Sequence, residues 1–135
     1  MYRFTWLRTW HGTVVVRVEQ RGDRVTLTAK QLRQEGSEPG WLDVNRTVQI
    51  GSADWAQLRA LVDSAAFWST GTPTEQPIDG LDGAHWILEG TRGDRYRGVD
   101  RWSPQETGPD RHIRAVGLYL LRLARLMPSD PEEVY

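Results

Sequence analysis

The chain has 135 residues, with 17 Lys+Arg against 18 Asp+Glu, three His, no Cys, 13 Gly, seven Pro and seven Trp. That length fits one compact domain able to bury roughly two-thirds of its unfolded surface, and 39% hydrophobic with 26% charged residues is a soluble globular composition. The lack of Cys excludes disulfides, thiolate metal sites and cysteine nucleophiles, a formal net charge of -1 argues against general nucleic-acid binding, and no apolar run approaches the ~18 residues of a membrane span.

The N-terminal Met1 to Arg8 interrupts its apolar residues with charge and is no signal peptide as written. The chain therefore reads as soluble and cytoplasmic unless a leader precedes Met1. Tyr2, Phe4 and Trp6 alternate with Arg3, Thr5 and Leu7, which predicts a first strand. Val14, Val15, Val16 and Val18 form a β-branched run, and Val25, Leu27 and Ala29 alternate with polar residues. Gly22-Asp23 between these runs suits a type II′ hairpin, in which Val18 faces Leu27 and Val16 faces Ala29. A loop over residues 34–40, with Gly36, Pro39 and Gly40, precedes a further alternating strand through Val44, Val48 and Ile50.

Ser52 is the expected N-cap of a helix from about Ala53 to Ala66, with Trp55, Leu58, Leu61, Val62 and Ala65 at helical spacing. A long loop over residues 69–83 follows, the kind of length at which loops tend to carry function. A second hairpin joins residues 84–91 to 95–102 around Gly93-Asp94, and Arg92-Gly93-Asp94-Arg95 repeats Arg21-Gly22-Asp23-Arg24. Pro109 suits a first helical position, and Ile113, Val116, Leu120, Ala124 and Met127 trace an apolar stripe that Pro128 ends. The expected fold is α+β, an antiparallel sheet with two helices packed on one face. Residues 1–127 form the single domain, and residues 128–135 a loose acidic tail. Strand order is not deducible from these patterns.

Motifs for catalysis are missing. No GxGxxG opens a helix, no GxxxxGK[ST] is present, the nucleophile-elbow pattern GxSxG is absent, and Lys30 lies in a strand. His11, His85 and His112 are too far apart in sequence for two to share a helix face toward a metal. Asp79 and Asp82 sit in a glycine-rich loop but lack the remaining ligands of a calcium loop. No cofactor or metal is expected. The densest polar region is the second hairpin. With a three-residue turn, Glu89 would face Arg97 and His85 would face Arg101, giving a base beside two anion-holding guanidinium groups. A two-residue turn would separate these pairs.

Among the tryptophans, Trp55 and Trp68 read as core, and Trp86 and Trp102 as neighbours on one sheet face. Trp10 and Trp41 are candidates for exposed anchors, since an indole buries large area with few torsions. The two Arg-Gly-Asp tripeptides match an adhesion motif but are equally good hairpin turns. Charge is blocked along the chain, with net +5 over residues 1–34, -7 over 35–89 and +1 over 90–135. Such blocks either form opposed patches suited to docking or are interleaved by the fold.

In the second half, Phe67-Trp68, Asp82-Gly83-Ala84-His85-Trp86-Ile87-Leu88-Glu89-Gly90, Tyr96-Arg97, Val99 and Arg101-Trp102-Ser103-Pro104 precede a Leu-rich helix. This cadence resembles small bacterial proteins of uncharacterised function, some of them secreted or lipid-anchored in form. The resemblance implies a bacterial source and a single-domain fold, and carries no catalytic residues. The leading functional expectation is a non-catalytic binding or protein-interaction module for a protein or small ligand, with Trp10, Trp41, Asp79 and Asp82 as contact residues. The alternative is a small hydrolase or lyase using His85, Glu89, Arg97 and Arg101. Self-association along an edge strand is a third reading.

Overall fold

The computed structural model describes residues 1–34, 40–69 and 80–135. Its strands are β1 (Tyr2–Arg8), β2 (Val14–Arg21), β3 (Arg24–Leu32), β4 (Leu42–Ile50), β5 (Ala84–Arg92) and β6 (Arg95–Trp102). Helix α1 (Ser52–Ser64) lies between β4 and β5, α2 (Arg111–Leu123) follows β6, and a 3-10 turn spans Pro131–Glu133. All six strands form one antiparallel sheet in the order β4-β3-β2-β1-β5-β6. β1 to β4 form a four-stranded meander, and after α1 the chain returns to pair β5 with the free edge of β1.

Period-two alternation divides the sheet into two faces. Tyr2, Phe4, Trp6, Val14, Val16, Val18, Leu27, Ala29, Trp86, Leu88 and Val99 point to one side and are buried. Onto that face pack Trp55, Leu58 and Val62 from α1 and Ile113, Val116, Leu120 and Leu121 from α2. The fold is α+β with both helices on one side. No helix among the described residues is long and apolar enough to cross a membrane. The basic stretch that builds β1 to β3 lies between β4 and β5 of the acidic stretch, so the fold interleaves the charge blocks. Arg3, bonded across the sheet to Glu89, is one contact of this kind.

Both tight hairpins use a two-residue turn, with Gly22 and Gly93 at φ 58. The first has the predicted register, Val18 opposite Leu27 and Val16 opposite Ala29. In the second, Arg92 pairs with Arg95, Glu89 with Gly98, Trp86 with Arg101 and His85 with Trp102. The three-residue turn considered from the sequence is not formed, and each facing residue moves by one.

Helix ends differ from expectation by small, explicable amounts. Gly51, extended at ψ 159, is the N-cap of α1, and Ser52 is already helical with no capping bond from its side chain. Asp110 rather than Pro109 precedes α2 directly. α2 stops before Pro128, because Arg125 adopts φ 52 and Leu126 N–H reaches back to the Leu121 carbonyl at 2.9 Å. Ala66 at φ 48 closes α1 in the same way, with Phe67 N–H donating to the Val62 carbonyl. Both endings are Schellman motifs built without glycine.

Residues 128–135 are not loose. Val134 and Tyr135 pack against the core. The buried indoles of Trp6 and Trp86 both donate to the main-chain oxygen of Tyr135, at 2.9 and 2.8 Å. Arg114 donates to the Val134 carbonyl at 3.2 Å. Two indole N–H groups inside an apolar core need acceptors, and this segment supplies one oxygen to both.

Candidate functional site

The end of the sheet where β1 finishes and β2 begins carries the exposed indoles Trp10 and Trp41 beside several arginines. Thr9 to Thr13 join β1 to β2 there, and Trp10 in that turn is 65% exposed. Arg8, at the end of β1, lies with its guanidinium 4.2 Å from the Trp6 ring centroid and donates from Nη2 to the Gly12 carbonyl. Burial draws its pKa down from the ordinary arginine value, and its Nε–H is buried with no partner among the described residues. Gly12 has to be glycine, since a Cβ there would sit 1.7 Å from the Leu32 carbonyl oxygen. Without that atom the turn lies flat against the end of β3.

These groups line a cleft of about 380 Å³ whose walls come from the β1–β2 turn, the end of β3, the start of β4 and the segment after α2. Arg8, Arg33 and Arg125 bring three guanidinium groups to it, with Trp10 and His11 beside them and Asp43 and Glu133 as the acids. His11 Nδ1 shares a 2.8 Å hydrogen bond with the Tyr135 hydroxyl, which also accepts from Trp10 N–H at 3.2 Å. Trp41, 52% exposed, lies 5.7 Å from the Arg33 guanidinium and stands just outside the lining. The arrangement offers a flat aromatic surface next to a surplus of fixed positive charge.

Three of the four residues predicted to bind lie at this end of the sheet. Trp10 lines the cleft, and Trp41 reaches it through Arg33. Asp82 is exposed in the turn before β5, four strand positions from β4, or about 19 Å at the usual interstrand spacing. It therefore belongs to no common site with Trp41. Asp79 lies outside the described residues. Among the described residues no group of three His, Asp or Glu is placed to hold a metal.

The hydrolase residues are divided between the two faces of the sheet. His85 and Glu89 point away from the helices, while Arg97 and Arg101 point toward them. Arg101 is 2% exposed and bonds Asp110 at 2.6 Å. Trp102 is likewise opposite in direction to Trp86, packing edge-on to His85 at 5.0 Å. His85 Nδ1 is 3.0 Å from Asp100 Oδ2 on the neighbouring strand. The result is a pair of cross-strand contacts on an open face, not a concave acid–base site.

Glu89 takes two bonds from Arg3, at 2.5 and 2.6 Å, and one from the Tyr96 hydroxyl at 2.8 Å. The Arg3 bonds hold its carboxyl below the ordinary glutamate value, partly offset by burial and reinforced by Tyr96. The folded protein thus binds this proton less readily than the unfolded chain. The stabilisation is complete above the ordinary value of 4.5 and is lost as pH falls through the depressed one. Glu89→Gln should cost about 1 kcal/mol at neutral pH, since Arg3 is half exposed and the pair is partly screened. In urea denaturation at a series of pH values, the gap from wild type should narrow steadily below pH 4.5. A gap that stays constant would show that the carboxylate charge contributes nothing.

No family model, curated protein or solved structure matches the chain. The functional reading therefore stands on the geometry just described. Sequence patterns did not single out Arg8, Arg33 and Arg125, because each is an ordinary surface cation in its own segment. Only the return of the chain after α2 brings Arg125 to the β1–β2 turn. Gly12 is the one local signal, a glycine in the turn that carries Trp10.

Proposed function

We propose that the protein is a non-catalytic binding module whose cleft takes a small anionic ligand bearing a planar or sugar ring. The observation that carries this reading is the convergence of exposed Trp10 with Arg8, Arg33 and Arg125 on one concavity. Guanidinium groups recognise oxoanions through paired N–H donors, and an indole face stacks on a ring with little entropic loss. Arg8 favours an acceptor in particular, because it is partly desolvated and retains a buried Nε–H without a partner among the described residues. Asp43 and Glu133 favour a compact anion over an extended acidic polymer, which they would repel.

Adenosine monophosphate is a suitable probe, as it joins a planar base to a phosphate; adenosine and inorganic phosphate are its two halves. Binding is followed by NMR on the Trp10 indole N–H, assigned with Trp10→Phe. The expected result is that the whole probe shifts the Trp10 signal at concentrations at least ~10-fold lower than either half, a difference of about 1.4 kcal/mol. Measured by calorimetry, Trp10→Ala and Arg125→Gly should each weaken binding by at least a similar factor. Glycine is chosen at 125 because φ 52 suits it, so the guanidinium is lost while the helix stop is kept. An unmoved Trp10 signal, or equal binding by wild type and both variants, would overturn the reading.

A further inference from the structure

The two edges of the sheet are built differently. β6 carries Arg95, Arg97, Asp100 and Arg101 within its eight residues, and all three arginines point toward the helix side. Inward charge on an edge strand resists pairing with another sheet. β4, at the opposite edge, has only Asp43 and Arg46 as charged residues over its nine, and a single inward one, Arg46, which is tied to the Ala124 carbonyl. Asp43 is the extra residue of a bulge, because Gln31 pairs with Val44 while Leu32 pairs with Leu42. The bulge blunts the first two positions and leaves Val44 to Ile50 as a regular, largely exposed stretch. Val48 is 43% exposed although it points to the helix side, since no described residue fills the groove between β4 and α2 beside Leu123 and Arg125.

We propose that β4 pairs with β4 of a second copy of this chain, joining two six-stranded sheets edge to edge about a two-fold axis at Thr47. Only an antiparallel pairing is compatible with that symmetry, and centring it on Thr47 uses all seven bulge-free residues. Val44 then faces Ile50 of the other copy on the helix side, and Arg46 faces Val48, so the two arginines are never directly opposed. On the open side Asn45 faces Gln49 and Thr47 faces its own counterpart. Thr47 already shares a 2.9 Å hydroxyl contact with Thr28 on β3, so the symmetric pairing continues a threonine row across the axis. Centring the axis on Arg46 instead would set two guanidinium groups face to face and run into the bulge. Sheet extension supplies main-chain hydrogen bonds for the exposed edge, and the pattern of side chains fixes the register.

The absence of Cys permits a direct test of that register. In Thr47→Cys the two thiols would face each other across the axis, within the about 4.4–6.8 Å Cα separation that a disulfide spans. In Gln49→Cys they would stand about 14 Å apart along the strands, too far to join. Mild oxidation should convert the first variant to a covalent dimer and leave the second largely monomeric. Sedimentation of the unmodified chain from micromolar to several hundred micromolar should show concentration-dependent dimer. Thr47→Lys, which opposes two like charges at the axis, should raise the dissociation constant at least ~10-fold with unchanged circular dichroism. A one-chain mass over the whole range, or equal cross-linking of the two cysteine variants, would overturn the proposal. Tyr96→Lys on β6 is expected to leave the dimer intact; loss of dimer there would place the interface at the other edge.

Discussion

Trp86→Ala should cost about 3–5 kcal/mol, the range for removing a fully buried aromatic, and a large share of a domain stability of ~5–15 kcal/mol. The indole is wholly buried, with its ring centroid 5.3 Å from those of both Phe4 and Trp6 and the Arg114 guanidinium 5.4 Å away. It sits where β1, β5, α2 and the C-terminal segment meet, so no single element can move to fill the space. Gly117 shows how closely α2 approaches it, since a Cβ there would lie 2.7 Å from the ring. A helix interior normally prefers alanine to glycine by about 1 kcal/mol, and here the close packing reverses that preference. Gly117→Ala should accordingly destabilise. Trp86→Phe separates ring from hydrogen bond, keeping most of the volume and losing the donor to Tyr135, and should cost less than Trp86→Ala. Urea denaturation of the three variants and wild type checks the order. Near-wild-type stability of Trp86→Ala would mean that the indole is not part of the core.

How far this arrangement could be read from sequence depends on the distance over which each signal acts. The first hairpin was legible in full, because alternation on both sides of Gly22-Asp23 allows one register in which the apolar sides agree. The second hairpin carries the same Arg-Gly-Asp-Arg turn and adopts the same glycine φ, so the repeat itself pointed to a two-residue turn there. The charged pairs that a three-residue turn would create pulled the reading the other way. Strand order was not legible, since pairing β1 with β5 joins residues such as Phe4 and Leu88 with no local pattern linking them. The docking of residues 128–135 was hidden for a related reason. Their composition is acidic and rich in proline, and the two indole donors that bind Tyr135 lie 129 and 49 residues earlier in the sequence. The cleft was legible only through Trp10 in its lining and Trp41 beside it, which stand out as bulky residues outside the strands and helices. Its cations are indistinguishable in sequence from those on any wet face.

Asp110→Ala should be the most damaging change to a charged residue, at about 3–5 kcal/mol. Arg101 lies on the inner face of β6 with its side chain 2% exposed, and Asp110 Oδ1 accepts from its Nε at 2.6 Å. The same guanidinium donates from Nη1 to the Asp100 carbonyl at 2.7 Å. Asp110 immediately precedes α2, yet its side chain makes no capping bond to that helix. Its carboxylate instead ties the start of α2 to the edge strand while remaining near the positive end of the helix dipole. Deleting it takes a charge-assisted bond from a guanidinium that cannot turn to bulk water, and the desolvation already incurred is no longer offset. Removing both partners leaves no such charge, so Arg101→Met combined with Asp110→Ala should be more stable than Asp110→Ala alone. Asp110→Asn, which keeps an acceptor oxygen, should fall between Asp110→Ala and wild type. Denaturation of these variants with Arg101→Met forms a double-mutant cycle. A cost below about 1 kcal/mol for Asp110→Ala, or no recovery in the double variant, would show that the pair is not what fixes α2 against β6.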